Sequence, residues 1–581
     1  MRANNLLIVA LLSACGGSGG PDAGVDPTNP TAPTGPTGDD DDDDAPLVCE
    51  PGAPSATPMR RLSKEQYEAA VWAAVDRLGL DSRVHDDVAA ELALLPDDLA
   101  DVTLSREDQA VTQTHVDQWY LVAEAVADGV LTLDPLPCAD EGCVPSFVDN
   151  VGTRLRRRPH TNEERAFFLD EVYGDAPTHA DGLRDLVLVW MAGPAFTMQL
   201  EHGAADAPEV WEDTVELTAY EAASRLSFHA WGAPPDDALW ALAQSGELLD
   251  GATWASEVRR HMEDPRAQGQ RERFFVDWLQ LWDVPVLDAQ VGLPGYDAFR
   301  GDITPVDDLH KRIRRDALDL LAWHVANDSS LDELWTSDVN TTLDPHVAEL
   351  YGTAPWDGTS EPQPLGTGHG GLLTRPVFHV TGTTDTRPIH KGIRIRRRVL
   401  CDTLGDPPAD LGEPPVIDPA DSTRVRTETL TESGPPCSGC HVQINPLGYA
   451  TESFDGLGRF RTEETVYDDD GNILATWPID DAAVYAIDLD DETVYAGHEQ
   501  LAEQLAASPK PDACASRTWF RHAMGRAPVD TDDACDLLAV SEALADDRPL
   551  NDALAELMLQ EGFLQRRFDE TPLETTEGGE E

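Results

Sequence analysis

Cys437-Ser438-Gly439-Cys440-His441 is the stretch on which the reading of this chain turns. Two cysteines three apart, with histidine directly after the second, match the arrangement that covalent haem attachment uses. Each thiol can bond one vinyl group along one edge of a porphyrin. The histidine then lies beneath the ring, where its imidazole reaches the iron as proximal ligand. With 9 Cys and 16 His in 581 residues, chance supplies the pattern about 0.004 times. Three plainer uses stay open: a redox dithiol, half of a zinc site, or two structural disulfide cysteines. Zinc wants a second Cys/His pair at ligand spacing, and none is visible. The expectation is one haem c, bonded to Cys437 and Cys440, with His441 on the iron.

Strand signals gather around this motif. Gly371-Leu372-Leu373 to Thr381 alternates apolar residues, and Thr465 to Ile479 reads as two strands about the Asp470-Gly471 turn. The aspartates there miss the spacing of a calcium loop, because the first ligand position falls on Val466. Elsewhere helical periodicity dominates. Ser63 with Gln66, Thr161 with Glu164 and Thr218 with Glu221 read as capping boxes opening helices. Tyr67, Ala70, Val71, Ala74, Val75 and Leu78 recur at helical spacing. So do Leu183, Leu186, Val187 and Trp190, and Phe274, Phe275, Trp278 and Trp282; all three stripes read as core. No fixed-period repeat is visible. The fold class expected is mainly α: a multidomain helical body with a small β-hairpin beside a cytochrome c-like segment.

The formal net charge is −66 and the pI about 4.3. Phosphate neutralisation needs a basic face, so no nucleic-acid partner is expected. At the N-terminus Arg2 precedes the apolar run Leu6 to Leu12, too short to span a bilayer. Leu12-Ser13-Ala14-Cys15 follows, then Gly16 and Gly17. This is similar to a bacterial lipoprotein signal, in which the cysteine is lipidated and becomes the mature N-terminus; a plain secretory signal is the alternative. The implied partners are a membrane, held through lipid on Cys15, and other exported redox proteins. The implied place is the bacterial cell envelope, at the outer membrane.

The chain divides into a signal over 1–14 and an acidic Gly/Pro/Thr tether over 15–57, with its aspartate run at 39–44. Helical segments follow at 58–136, 144–205 and 215–353. The cytochrome-like segment covers 365–466, a hairpin and linker 467–495, a C-terminal helical domain 496–570, and an acidic tail 571–581.

The order of segments resembles that of the secreted cytochrome-like proteins of planctomycetes and myxobacteria, built from a series of domains of unknown function. Arg61-Leu62-Ser63, Arg157-Arg158-Pro159, Leu226-Ser227 with Trp231, Leu350-Tyr351-Gly352 and Gly371-Leu372-Leu373-Thr374 carry the likeness. It is densest from Cys437 through Pro446-Leu447-Gly448-Tyr449 and Glu452-Ser453-Phe454-Asp455 to Arg459, and closes at Arg521 to Arg526. The chain departs from that pattern at Asn445, where aspartate is expected, and at His522 and Met524. Membership by itself carries no reaction.

The second axial ligand is open between His522 and Met524, with His498, Met558, His379 and His390 as further candidates. His522 and Met524 are two apart on a helix, so at most one can face an iron. A saturated iron passes electrons and an open one binds peroxide or oxygen. The readings are therefore a haem c electron-transfer lipoprotein, a peroxidase-like or oxidative haem enzyme acting on extracellular polymers, and a binding or scaffold lipoprotein.

Proximity in sequence pairs Cys138 with Cys143 and Cys514 with Cys535, leaving Cys49 for Cys401 by elimination. The basic run Arg387, His390, Lys391, Arg394, Arg396, Arg397 and Arg398 stands against the acidic background. Arg394 and Arg397 are candidates for haem propionates; pairing of the run with the chain's own carboxylates is the plainer use.

Overall fold

The computed structural model describes residues 48–568, apart from 51, 81, 99–103, 105–109, 205–210, 212, 406–413, 485–486 and 488–493. The signal, Cys15, the aspartate run and the acidic tail lie outside the described residues. The fold is mainly α, and no large sheet occurs among the described residues. Among the described residues the strands form four two-stranded sheets. No helix there is long and apolar enough to cross a membrane. The chain divides into two compact units. One contains residues 281–514, and the other joins 49–280 to 515–581.

In the discontinuous unit, the three expected capping boxes all form. At the first, the Gln66 amide donates to Ser63 Oγ (3.3 Å) and the Ser63 amide to Gln66 Oε1 (3.1 Å). These reciprocal bonds satisfy donors that the helix Lys64–Leu78 would otherwise leave open. All six stripe residues from Tyr67 to Leu78 are buried. They join one hydrophobic cluster with the helices Gln113–Val130 and His179–Ala192. The segments 58–136 and 144–205 both contribute to that cluster. Phe274, Phe275 and Trp278 are buried too, but Trp282 is 38% exposed. It lies beyond the helix Ala267–Trp278, so helical periodicity no longer governs its direction.

In the same unit Glu201 is held among three arginines. Arg225 donates to both its carboxylate oxygens (2.9 and 2.6 Å), and Arg60 lies 3.8 Å away. Arg566 donates to the Glu201 carbonyl (2.7 Å). The strand Thr214–Glu216 pairs antiparallel with Gln565–Arg567. The expected tether ends before residue 57. Cys49 is bonded to Cys535, Ser55 Oγ donates to Asp533 (2.6 Å), and the Thr57 amide donates to Arg567 (3.0 Å).

In the 281–514 unit the hairpin forms between Glu463–Tyr467 and Ile473–Pro478. Gly471 supplies the positive φ of 83° that its turn requires. The stretch 371–381 is not a strand. It makes two 3-10 turns, Leu372–Thr374 and Pro376–Phe378, because Gly371 takes φ +80° and Pro376 has no N–H for a ladder.

The disulfides correct the expected pairing. Cys138 bonds Cys143, but Cys514 bonds Cys401 rather than Cys535, and Cys535 bonds Cys49. Each long-range bond joins two cysteines of the same unit, which proximity in sequence could not reveal.

Candidate functional site

Cys437 caps the helix Ser438–Tyr449, hereafter the motif helix. Its carbonyl accepts from the amides of Cys440 (3.3 Å) and His441 (3.2 Å), so the three motif residues share the first turn. Spacings of three and four place their side chains on one face. Cys437 is half-buried and Cys440 exposed, and both are free thiols. Every other described cysteine is in a disulfide. Val442, next along the helix, leaves half its surface exposed. Pro446 withdraws the amide that would have reached the Val442 carbonyl, one turn back.

His441 is buried, and its Nδ1 lies 3.1 Å from Asn445 Oδ1, one turn on. Asn445 is fully buried; its Nδ2 donates to Thr431 Oγ1 (2.9 Å) and to Glu432 Oε1 (2.7 Å). Tyr449 donates its hydroxyl to the same Glu432 oxygen (3.0 Å). Burial, then the Glu432 charge, raise the Tyr449 phenol far above its ordinary range, so it stays a donor. Thr431 and Glu432 close the helix Thr423–Thr431, capped at its start by Ser422.

The helix Pro388–Arg394 lies across the motif helix at two glycines. A Cβ on Gly392 would overlap the Ile444 carbonyl, and one on Gly448 the Pro388 carbonyl. Beyond the crossing, Arg396 donates from Nε to the Gln443 carbonyl (3.1 Å) and from Nη1 to Asp402 (2.9 Å). Lys391 is buried and donates to Glu452 (2.7 Å) and the Thr451 carbonyl (3.1 Å). Burial lowers the Lys391 pKa, with Glu452 opposing. Those two cations therefore serve the protein's own carboxylates and carbonyls. Of the propionate candidates, Arg394 sits 5.8 Å over the Phe378 ring and Arg397 is exposed.

The candidate sixth ligands are dispersed. His522 and Met524 are buried in the unit that lacks the motif; His522 stacks on Trp519 (5.5 Å, 15°) and lies 5.7 Å from Phe274. Met558 is buried in the same unit. In the motif's unit His390 is exposed. There His379 stacks on Phe454 (4.3 Å, 12°) and bonds the Leu373 carbonyl (2.8 Å), and burial holds its pKa well below the usual value. His498 meets the same Phe454 ring at 5.0 Å.

The donor set suits a haem: two thiols on one face and an imidazole whose outer nitrogen is fixed by a hydrogen bond. No group of three or more His, Cys, Asp or Glu placed to hold a metal ion occurs among the described residues. Asn445 was read only as a departure from the family pattern; it stands one helical turn from His441, a spacing that could have pointed to their bond. Glu432 and Arg396 carry no such local signal.

Residues 217–353 match a family model named PSD4, described as a protein of unknown function (DUF1592). Residues 369–464, which contain the motif, match PSCyt3, described as a protein of unknown function (DUF1588). The chain thus carries both domains, and their names point to cytochrome-like proteins. No curated protein and no solved structure matches it.

Proposed function

We propose that the chain is an exported lipoprotein of the cell envelope that carries one covalent haem c and passes electrons. The observation that supports this most is the first turn of the motif helix. It presents two free thiols beside a buried, anchored histidine, in a chain whose other described cysteines are all oxidised. Each thiol would add S–H across one vinyl double bond, a step that needs no oxidant. The bound group would supply a one-electron couple. The chain's part is to hold His441 through Asn445 and to brace the motif helix with Arg396 and the Gly392 crossing. Arg397, exposed in the same basic run, is available to a propionate.

Protein matured with a cytochrome c assembly system should show a haem c pyridine haemochrome, and acid-acetone should leave the haem on the polypeptide. Cys437→Ala/Cys440→Ala should lose all of it. A matured wild type with no Soret band would falsify the reading. Ready binding of carbon monoxide or cyanide by the wild type moves it from carrier to haem enzyme, and turnover with peroxide is then the assay.

The anchor is proposed on the Leu12-Ser13-Ala14-Cys15 box. Labelled palmitate should enter the wild type and not Cys15→Ser. Label that persists in the variant excludes Cys15.

A further inference from the structure

Behind His441 the hydrogen bonds have only one consistent set of directions. Thr431 gives its hydroxyl hydrogen to the Thr427 carbonyl (2.7 Å), so its oxygen is left to accept. The Glu432 carboxylate also accepts, and already takes the Tyr449 hydroxyl. Both therefore face the NH2 end of Asn445, at 2.9 and 2.7 Å. A flipped amide would set oxygen against oxygen at both places. Asn445 Oδ1 is left towards His441 and can only accept. The hydrogen on His441 is thus on Nδ1, and Nε2 carries the lone pair that a metal would take.

We propose that Asn445 is the positioning residue of the His441 imidazole, and that Glu432 sets through it how strongly that imidazole donates to the iron. This rests on the haem reading above. A stronger acceptor on Nδ1–H makes the ring more basic and favours the oxidised iron. An amide in this place gives a moderate acceptor, polarised by the carboxylate behind it. Aspartate in place of Asn445 would accept more strongly but would set a second carboxylate against Glu432 in buried surroundings, with nothing left to donate. Asparagine is thus the residue that serves both neighbours.

The test uses full-length, haem-loaded Asn445→Asp, Glu432→Gln and the double variant, each followed by redox titration and thermal unfolding. Asn445→Asp should unfold at lower temperature. At the wild-type midpoint its oxidised-to-reduced ratio should rise about tenfold, a fall of about 59 mV. Glu432→Gln should move the ratio the opposite way. In the double variant the introduced amide can donate to the introduced carboxylate, so the unfolding temperature should recover while the low potential stays. A merely structural role predicts that potential and stability recover together. Apoprotein labelled with 15N-histidine adds a measurement independent of haem: His441 should be protonated on Nδ1, and Asn445→Leu should release the Nε2–H form. Folded variants whose ratios stay within about twofold of wild type overturn the proposal, as does a wild-type His441 protonated on Nε2. Failure of the wild type to bind haem defeats the haem reading instead, and the tautomer then decides the role of Asn445 alone.

Discussion

Replacing Glu201 with alanine is expected to destabilise its unit by about 3–5 kcal/mol, the usual cost of removing one partner from a buried charge network. Arg225, also buried, would lose both acceptors of its fork, and Arg60 its nearest opposite charge. Attraction between those arginines and Glu201 outweighs burial, which alone would raise its pKa; the carboxyl is lowered from 4.5 to about 2. A depressed acid contributes stability that is complete above its unfolded pKa and lost as pH falls through the folded one. The contribution, about 3 kcal/mol, should therefore be whole above about pH 4.5 and gone below about pH 2. Native-state hydrogen exchange across the helix Ala219–Trp231 reports it directly. A loss under about 1 kcal/mol in the alanine variant would show that the arginines find other partners.

Gly392→Ala should do comparable harm where the motif is held. The added methyl would occupy the space of the Ile444 carbonyl, which is backbone and cannot swing aside. The two helices would have to separate, at about 3 kcal/mol, and the Arg396 bond to Gln443 would stretch with them. Thermal unfolding and haem loading should fall together. Gly251→Ala is the control, because a Cβ there meets nothing. If Gly392→Ala loads haem like the control, the crossing is not what braces the motif.

What the sequence made legible was local. Ser63, Thr161 and Thr218 announced their helices because a capping box closes within three residues. The stripe from Tyr67 to Leu78 was readable because one helix face repeats on a fixed period. The spacing of Cys437, Cys440 and His441 was readable because it lies within a single stretch of five residues. Cys138–Cys143, five residues apart, was legible too, but the two long-range disulfides were not, since Cys49 and Cys535 are 486 residues apart and only the folded path brings them together. Residues 371–381 misled because apolar alternation also fits short turns, and there Gly371 and Pro376 decided. Glu432 was invisible because its importance lies in the second helix it reaches, where Asn445 and Tyr449 wait.

The discontinuous unit has a bearing on the order in which the chain can mature. Its Thr214–Glu216 strand pairs with Gln565–Arg567, and Arg225 donates to the carbonyls of Phe563 and Gln565. Residues 281–514 require no such late arrival; their disulfide closes between Cys401 and Cys514. In a chain that crosses a membrane N-terminus first, the inserted segment therefore has all its parts on the far side before its host does. On the proposed reading, Cys437 and Cys440 would emerge with that early segment, so thioether formation and the closing of the Cys49–Cys535 bond would be separate events in time. On that reading the host unit would stay open through the interval, and it would be the part that chaperones and proteases meet first.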